Sequence, residues 1–202
     1  MKLYYSPGAC SLAPHIVIHE AGLAYTPVLA STKTKKLPDG TDFTTINPLG
    51  YVPVLELDNG ERLREGPAIV QYLADQAPEK QLAPANGTMA RYRLQEWLSF
   101  ISSELHQKFG PLFVPTTPED YKPLVKERLM GRLQWVDGEL AGKTYLMGEQ
   151  FTVADAYLFN VTNWAQYVQL DISGLKNLAA YRARIAERPA VQAAMRAEGL
   201  LR

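Results

Sequence analysis

The 202 residues carry 21 basic and 21 acidic side chains, so the chain has no formal net charge at neutral pH. A nucleic-acid-binding protein needs a basic excess to neutralise phosphates, which sets that class aside even though Lys33, Lys35 and Lys36 cluster. An apolar fraction of 47% predicts a packed core, and no run approaches the roughly 18 apolar residues that span a bilayer, so no membrane partner is expected.

In chain order, Lys2 to Tyr5 is short, apolar and aromatic, which predicts a buried strand broken by Ser6-Pro7-Gly8. From Cys10 to Gly22, Leu12 and Ile16 recur at helical spacing. Pro14 is tolerated in a first turn, and Gly22 suits the exit. Tyr25 to Ala30 predicts a second strand and completes a βαβ unit. A polar stretch, 31–50, has room for one helical turn. Val52 to Leu57 alternates as a strand, Asp58-Asn59-Gly60 is a hairpin signal, and Glu61 to Glu65 is the returning strand. Pro67 then opens a helix that ends near Pro78. The order βαβ followed by ββα is the thioredoxin-like α/β arrangement.

The segment 78–88, with Pro84, Asn86 and Gly87, reads as a linker. Beyond it lie helical patterns at about 89–112, 118–141, 152–170 and 175–199, the last broken at Pro189. The expected organisation is therefore a thioredoxin-like domain over 1–77 and an all-α C-terminal domain over 89–202. Thr152-Val153-Ala154-Asp155 has the form of a capping box, which gives Asp155 a folding role. Asn86-Gly87-Thr88 and Asn160-Val161-Thr162 match the glycosylation pattern by chance. The first residues lack the apolar stretch of a signal peptide, and the single cysteine permits no internal disulfide; the expectation is a cytoplasmic protein.

Three places carry chemistry. Cys10 stands at a helix start, where unpaired amides and the positive end of the dipole lower a thiol's pKa, and Pro7-Gly8-Ala9 before it leaves space for a ligand. A small buried hydrophobe is the alternative for a lone cysteine. Val52-Pro53 precedes the third strand, where this fold places a cis proline facing the thiol and exposes backbone to pair with a peptide. Glu65-Gly66-Pro67 opens a helix. Gly66 offers an amide to a carboxylate and Glu65 a carboxylate to an ammonium, the two needs of a γ-glutamyl head such as that of glutathione. His15 and His19 lie four apart, but two histidines with no carboxylate or cysteine partner to complete a ligand set are poor evidence for zinc, so no metal site is expected there.

Taken together, Lys2-Leu3-Tyr4-Tyr5-Ser6-Pro7-Gly8-Ala9-Cys10-Ser11, Asn47-Pro48-Leu49-Gly50-Tyr51-Val52-Pro53-Val54-Leu55, Glu65-Gly66-Pro67-Ala68-Ile69-Val70-Gln71-Tyr72-Leu73 and Phe151-Thr152-Val153-Ala154-Asp155 resemble the glutathione S-transferases, specifically the bacterial beta class, over essentially the whole chain. The resemblance implies the glutathione S-transferase fold, a homodimer, and glutathione as co-substrate without a metal. It implies that Cys10 lies beside the glutathione sulfur, that Val52, next to Pro53, pairs with the cysteinyl backbone, and that Glu65 and Gly66 hold the γ-glutamyl end. Lys35 would meet the glycyl carboxylate. From the helical domain, the class uses positions matching Ser99, Ser103, Glu104 and His106. The class often has asparagine at position 99 and lysine at 107, where this chain has Ser99 and Gln107. Ser99, Ser103 and His106 are spaced four then three, which puts them on one helix face.

The implied activity is conjugation of the glutathione thiol to small hydrophobic electrophiles in an apolar cleft, with walls from Phe109, Phe113 and the helix of Trp164. Cys10 and Ser11, with His106, are the expected catalytic groups. Two other readings stand beside it. One is a glutathione-dependent thiol-disulfide oxidoreductase or reductive dehalogenase working through a Cys10 mixed disulfide. The other is a non-catalytic glutathione-binding or protein-interaction scaffold.

Overall fold

In the computed structural model, which describes residues 1–201, the run Lys2–Tyr5 is strand β1. Three further strands, β2 (Thr26–Leu29), β3 (Val54–Glu56) and β4 (Arg62–Arg64), complete a sheet of order β2-β1-β3-β4. β1 and β2 are parallel, so they need a crossover, and α1 (Leu12–Ala21) supplies it. β3 runs antiparallel to both β1 and β4. The β3–β4 turn is closed by bonds between Leu57 and Glu61 and from Gly60 to Leu57, with Gly60 at φ +85° where a side chain would be strained. α2 (Gly66–Asp75) completes the βαβ-ββα order.

Alternation puts Leu3 and its partner Leu55 on one face of the sheet, and Tyr4 and its partner Val54 on the other; all four are buried. Because both faces are covered, β1 reads as a continuous apolar run rather than an alternating one. The Tyr4–Val54 face is closed by Phe43, whose ring lies 5.7 Å from that of Tyr4. Phe43 begins a single 3-10 turn, Phe43–Thr45, capped by the Asp42 carboxylate on the Thr44 amide. This is the one turn expected in the polar stretch. Pro14 is the third residue of α1, where no amide bond is lost, and Gly22 ends the helix at φ +68°.

The helical part contains α3 (Met89–Phe100), a π-helical stretch Ile101–His106, α4 (Gln107–Phe113), α5 (Tyr121–Glu139), α6 (Val153–Asn163) and α7 (Lys176–Ala186). In α5 the buried residues Val125, Leu129, Leu133 and Val136 form one stripe at helical spacing. α6 is buried along nearly its whole length, Asn160 included, so the sequon at Asn160 is not a surface site. The expected pattern over 152–170 is divided, α6 giving way at Trp164 to a 3-10 stretch, Trp164–Val168.

By contacts the chain divides into two units: Met1–Ala83 together with the stretch from Arg188 onward, and Pro84–Glu187. The break after Ala83 falls in the expected linker. The last helix, α8 (Pro189–Ala197), differs from expectation: it belongs to the sheet-bearing unit rather than to one helical domain over 89–202. The cause is its partners on α1. Arg188 bonds both oxygens of Glu20, at 2.6 and 2.9 Å, and Glu198 bonds His15 at 2.8 Å, while Val191 and Ala194 are fully buried.

Candidate functional site

The loop before α1 is built by Ser11. Its hydroxyl accepts the Ser6 amide at 3.1 Å and donates to the Ser6 carbonyl at 3.2 Å, and the residue is fully buried. Ser11 therefore closes the loop from a fully buried position. Cys10, half-buried, donates its thiol to the Val52 carbonyl at 3.1 Å. Its surroundings act against the expected lowering of its pKa. Burial pushes the thiol up to about 12, with the Glu65 and Glu198 carboxylates adding to the rise. The Cys10 and Ser11 amides do act downward, as a helix start should, but enclosure outweighs them.

The Val52-Pro53 peptide is cis, and Val52 lies beyond the β1–β3 register, which ends at Tyr4 and Val54. Buried Asn47 shapes the turn that leads to it. Its side chain donates to the Tyr51 carbonyl at 2.7 Å and accepts from the Leu49 amide at 3.3 Å. The Lys35 ammonium is held to the same turn, 2.8 Å from the Gly50 carbonyl and 5.2 Å from the centre of the Tyr51 ring. A side chain at Gly50, which has φ +63°, would press on Lys35 at 3.1 Å.

Glu65 occupies the residue before α2 at φ +68°, a region that non-glycine residues rarely adopt and that costs on the order of 1–3 kcal/mol. Its carbonyl takes the Ala68 and Ile69 amides at 3.0 Å each, and Pro67 has no N–H. The Gly66 amide is thus the open donor of that helix start. The Glu65 carboxylate acts on the Cys10 thiol, Cys10 bonds the Val52 carbonyl, and Lys35 is held to the Gly50 carbonyl two residues before Val52, all within the sheet-bearing unit.

In the helical unit the expected residues have varied surroundings. Ser99 and Ser103 are exposed, and the Ser103 hydroxyl donates to the Ser99 carbonyl at 3.0 Å. Glu104 is paired with Arg132 at 2.7 Å and Lys108 at 3.0 Å, which hold its carboxyl below the usual range. His106 bonds the buried Tyr157 hydroxyl through Nδ1 at 2.6 Å and lies edge-on to Trp164. Burial lowers its pKa to about 4. The face expected for residues 99, 103 and 106 assumed regular α-helix. The backbone is π-helical across Ile101–His106, and the Gln107 amide donates to the Ser102 carbonyl five residues back. Phe109 and Phe113 both meet Trp164 edge-on, at 5.7 and 5.8 Å, with Phe109 and Trp164 buried and Phe113 exposed.

Two participants escaped the sequence reading. Asn47 has a local signal, an Asn-Pro before a turn. Glu198 has none: its carboxylate takes the Gly8 amide at 2.9 Å from 190 positions away, and it pairs with His15. Among the described residues no cluster of three or more His, Cys, Asp or Glu could hold a metal ion.

The family domain described as "Glutathione S-transferase, N-terminal domain" matches residues 8–76, and "Glutathione S-transferase, C-terminal domain" matches 94–189. This chain belongs to the glutathione S-transferase family. Among relatives of this glutathione S-transferase, Glutathione S-transferase GstA of Escherichia coli O157:H7 is 50% identical over 99% of this chain and 100% of its own. The solved ternary complex of BphK, a bacterial GST, is 55% identical with a TM-score of 0.97, covering 99% of this chain and 100% of that one. A sphingomonad glutathione S-transferase solved in complex with glutathione is 48% identical with a TM-score of 0.96, again covering 99% and 100%. A beta-class enzyme of Sphingomonas chungbukensis is 49% identical with a TM-score of 0.97, covering both chains fully.

Proposed function

We propose that this chain is a glutathione transferase that joins the glutathione sulfur to small apolar electrophiles, with Cys10, Lys35, Val52, Pro53, Glu65 and Gly66 as the glutathione-binding residues. The observation that carries the reading is the strained Glu65 beside an open Gly66 amide, within electrostatic reach of a thiol bonded to Val52. Strain of this kind persists where the surrounding structure imposes it, and a zwitterionic head group gives it a use. Glu65 would take the ammonium, Gly66 the adjoining carboxylate, Val52 the cysteinyl backbone, and Lys35 the glycyl carboxylate. In conjugation the glutathione sulfur forms the new carbon–sulfur bond, the leaving group departs with its electron pair, and the thiol proton goes to solvent.

Cys10 enters as a hydrogen-bond donor. It carries its proton at neutral pH and already donates to a neighbouring oxygen, so it can turn the same hydrogen on the glutathione thiolate and stabilise it. A redox cycle through a mixed disulfide needs the Cys10 thiolate, which burial disfavours, so conjugation is the leading reading. The half-exposed Phe113 against Trp164 supports an apolar co-substrate. Ser99, Ser103, Glu104 and His106 belong to the proposal as the helical unit's contribution, His106 acting in its neutral form. A homodimer is proposed with them, supported by the exposed Trp135 packed on Trp97 and Phe100. A cytoplasmic location is also proposed; no helix among the described residues is long and apolar enough to cross a membrane.

The test is retention on immobilised glutathione with turnover of an aryl halide, compared with Glu65→Gly. That change relieves the backbone and removes the carboxylate. It should leave the melting temperature no lower while weakening glutathione binding about tenfold or more. A native chain that neither binds glutathione nor turns over the halide would be a scaffold instead. A Cys10–glutathione adduct accumulating during turnover, seen by mass spectrometry, would favour the redox cycle.

A further inference from the structure

In the helical unit, α4 has two working faces. Phe109 and Phe113 meet Trp164, whereas Gln107, Lys108 and Pro111 line a cleft of about 290 Å³ together with Tyr121, Val125 and Arg128 of α5. The three α5 residues are spaced four then three, so they form one stripe along that helix. Pro111 lies inside α4, where its ring crowds the Gln107 carbonyl and offers it no amide, and both residues border the cleft. Val125 is buried and Lys108 half-buried, while Gln107, Tyr121 and Arg128 reach solvent.

No carboxylate lines this cleft, and its cations are short of one. Lys108 shares Glu104 with Arg132, at 3.0 and 2.7 Å. Arg128 stands one turn before Arg132 and forms no ion pair or hydrogen bond with any described residue. Of the acids that precede α5, Glu119 is bound by Lys122, and Asp120 is not part of the lining. Lys108, Arg128 and Arg132 thus share a single carboxylate, which leaves positive charge over a partly enclosed space.

A guanidinium presents a planar fork that matches a carboxylate, and an ammonium beside it adds a point charge. Val125, Pro111 and the Tyr121 ring supply apolar surface, for which a bare inorganic anion has no use. The Gln107 amide and the Tyr121 hydroxyl add donors and acceptors. The volume sits at the small end of the range of about 300–1,000 Å³ common to small-molecule sites, which suits a ligand of one ring. We infer that the α4–α5 cleft is a second binding site, for a small aryl carboxylate whose anionic end is held by Arg128 and Lys108. The site uses none of the residues proposed for glutathione and stands independently of the transferase reading.

The probe is 4-fluorobenzoate, titrated into the full chain and followed by its fluorine resonance. Neutral 4-fluorobenzamide and inorganic phosphate serve as comparisons. Fluorobenzoate should bind saturably, about tenfold or more tighter than either. Arg128 is exposed, so Arg128→Gln should keep the native melting temperature while weakening fluorobenzoate binding about tenfold or more. Phe113→Ala alters the Trp164 face of α4, and Arg93→Gln removes an exposed charge on α3; each should leave the affinity within about twofold. An unchanged affinity in Arg128→Gln, or a loss in Phe113→Ala, would overturn the inference, because the ligand would then sit on the other face of α4. Phosphate binding as tightly as fluorobenzoate would overturn it as well, since the apolar lining would then play no part. Fluorobenzoate that fails to saturate would leave no site at all.

Discussion

Cys10 and His106 are shifted in opposite directions by one cause. Removing water disfavours whichever form carries charge, so the thiol rises to about 12 and the imidazole falls to about 4, leaving both neutral near pH 7. The candidate site is therefore equipped with hydrogen-bonding groups rather than with a thiolate and an imidazolium. For His106 the shift has a consequence for stability. Its folded pKa lies below its ordinary 6.5, so its contribution is fully present above about 6.5 and is lost as pH falls through about 4. Melting temperatures measured from pH 7 down to 4 should drop more steeply for the native chain than for His106→Phe, which keeps a ring beside Trp164 but cannot be protonated. Parallel curves would mean the histidine is not depressed. The positions of Cys10, Val52, Glu65 and Gly66 were legible because breaks, prolines and strand order are local signals. The direction of the Cys10 shift was not, since it depends on chain brought from Val52 and Glu198, far away in sequence.

At the scale of elements, the start of α6 shows how a legible motif acquires partners the sequence does not reveal. The Thr152-Asp155 capping box forms as its residue types predict, with the Thr152 amide on Asp155 Oδ2 at 2.7 Å. The other carboxylate oxygen takes the Leu146 amide and the Tyr181 hydroxyl, each at 2.9 Å, so one side chain joins the incoming loop, α6 and α7. All are buried, and Asp155→Ala would strand these donors together with the Thr152 hydroxyl, which lies 3.0 Å from Oδ2. Part of that loss is offset because the buried carboxylate is itself costly, burial pushing its pKa up. The net expectation is about 3 kcal/mol, against about 1 kcal/mol for Thr152→Ala, read as shifts in the urea midpoint. A smaller effect at Asp155 than at Thr152 would show that the contacts to Leu146 and Tyr181 contribute little. The π-helical stretch is the converse case. A helix over about 89–112 was readable from apolar spacing, yet spacing arguments assume a uniform 3.6-residue turn and so cannot see Ile101–His106 depart from it. That departure shifts the side chains that follow it around the axis, which is why the face drawn through Ser99, Ser103 and His106 was not secure.

For the molecule as a whole, the assignment of α8 separates chain order from folding unit. The helices α3 to α7 fall in one unit by contacts, Pro84–Glu187, whereas the last helix returns to α1. Hydropathy could not reveal this, because an apolar stripe such as that of Val191 and Ala194 says that a helix is buried but not against what. The chain carries a separate natural probe for each unit. Trp97, Trp135 and Trp164 all lie within Pro84–Glu187, while Cys10 lies in the sheet-bearing unit. Ending the chain after Glu187 would uncover the Ile16-containing helix α1, strand His15 without its carboxylate and release Gly8. Each of these losses falls on the unit that contains Cys10. In such a truncated chain Cys10 should become alkylated at low urea, at concentrations where tryptophan emission is still native, because the helical unit keeps its own core of Leu129, Leu133, Tyr157 and Tyr181. Tryptophan emission shifting together with Cys10 exposure would show that α8 supports both units. Alkylation as slow as in the full chain would mean that α1 keeps its structure without α8, and that the buried Glu198–His15 pair contributes little to holding it.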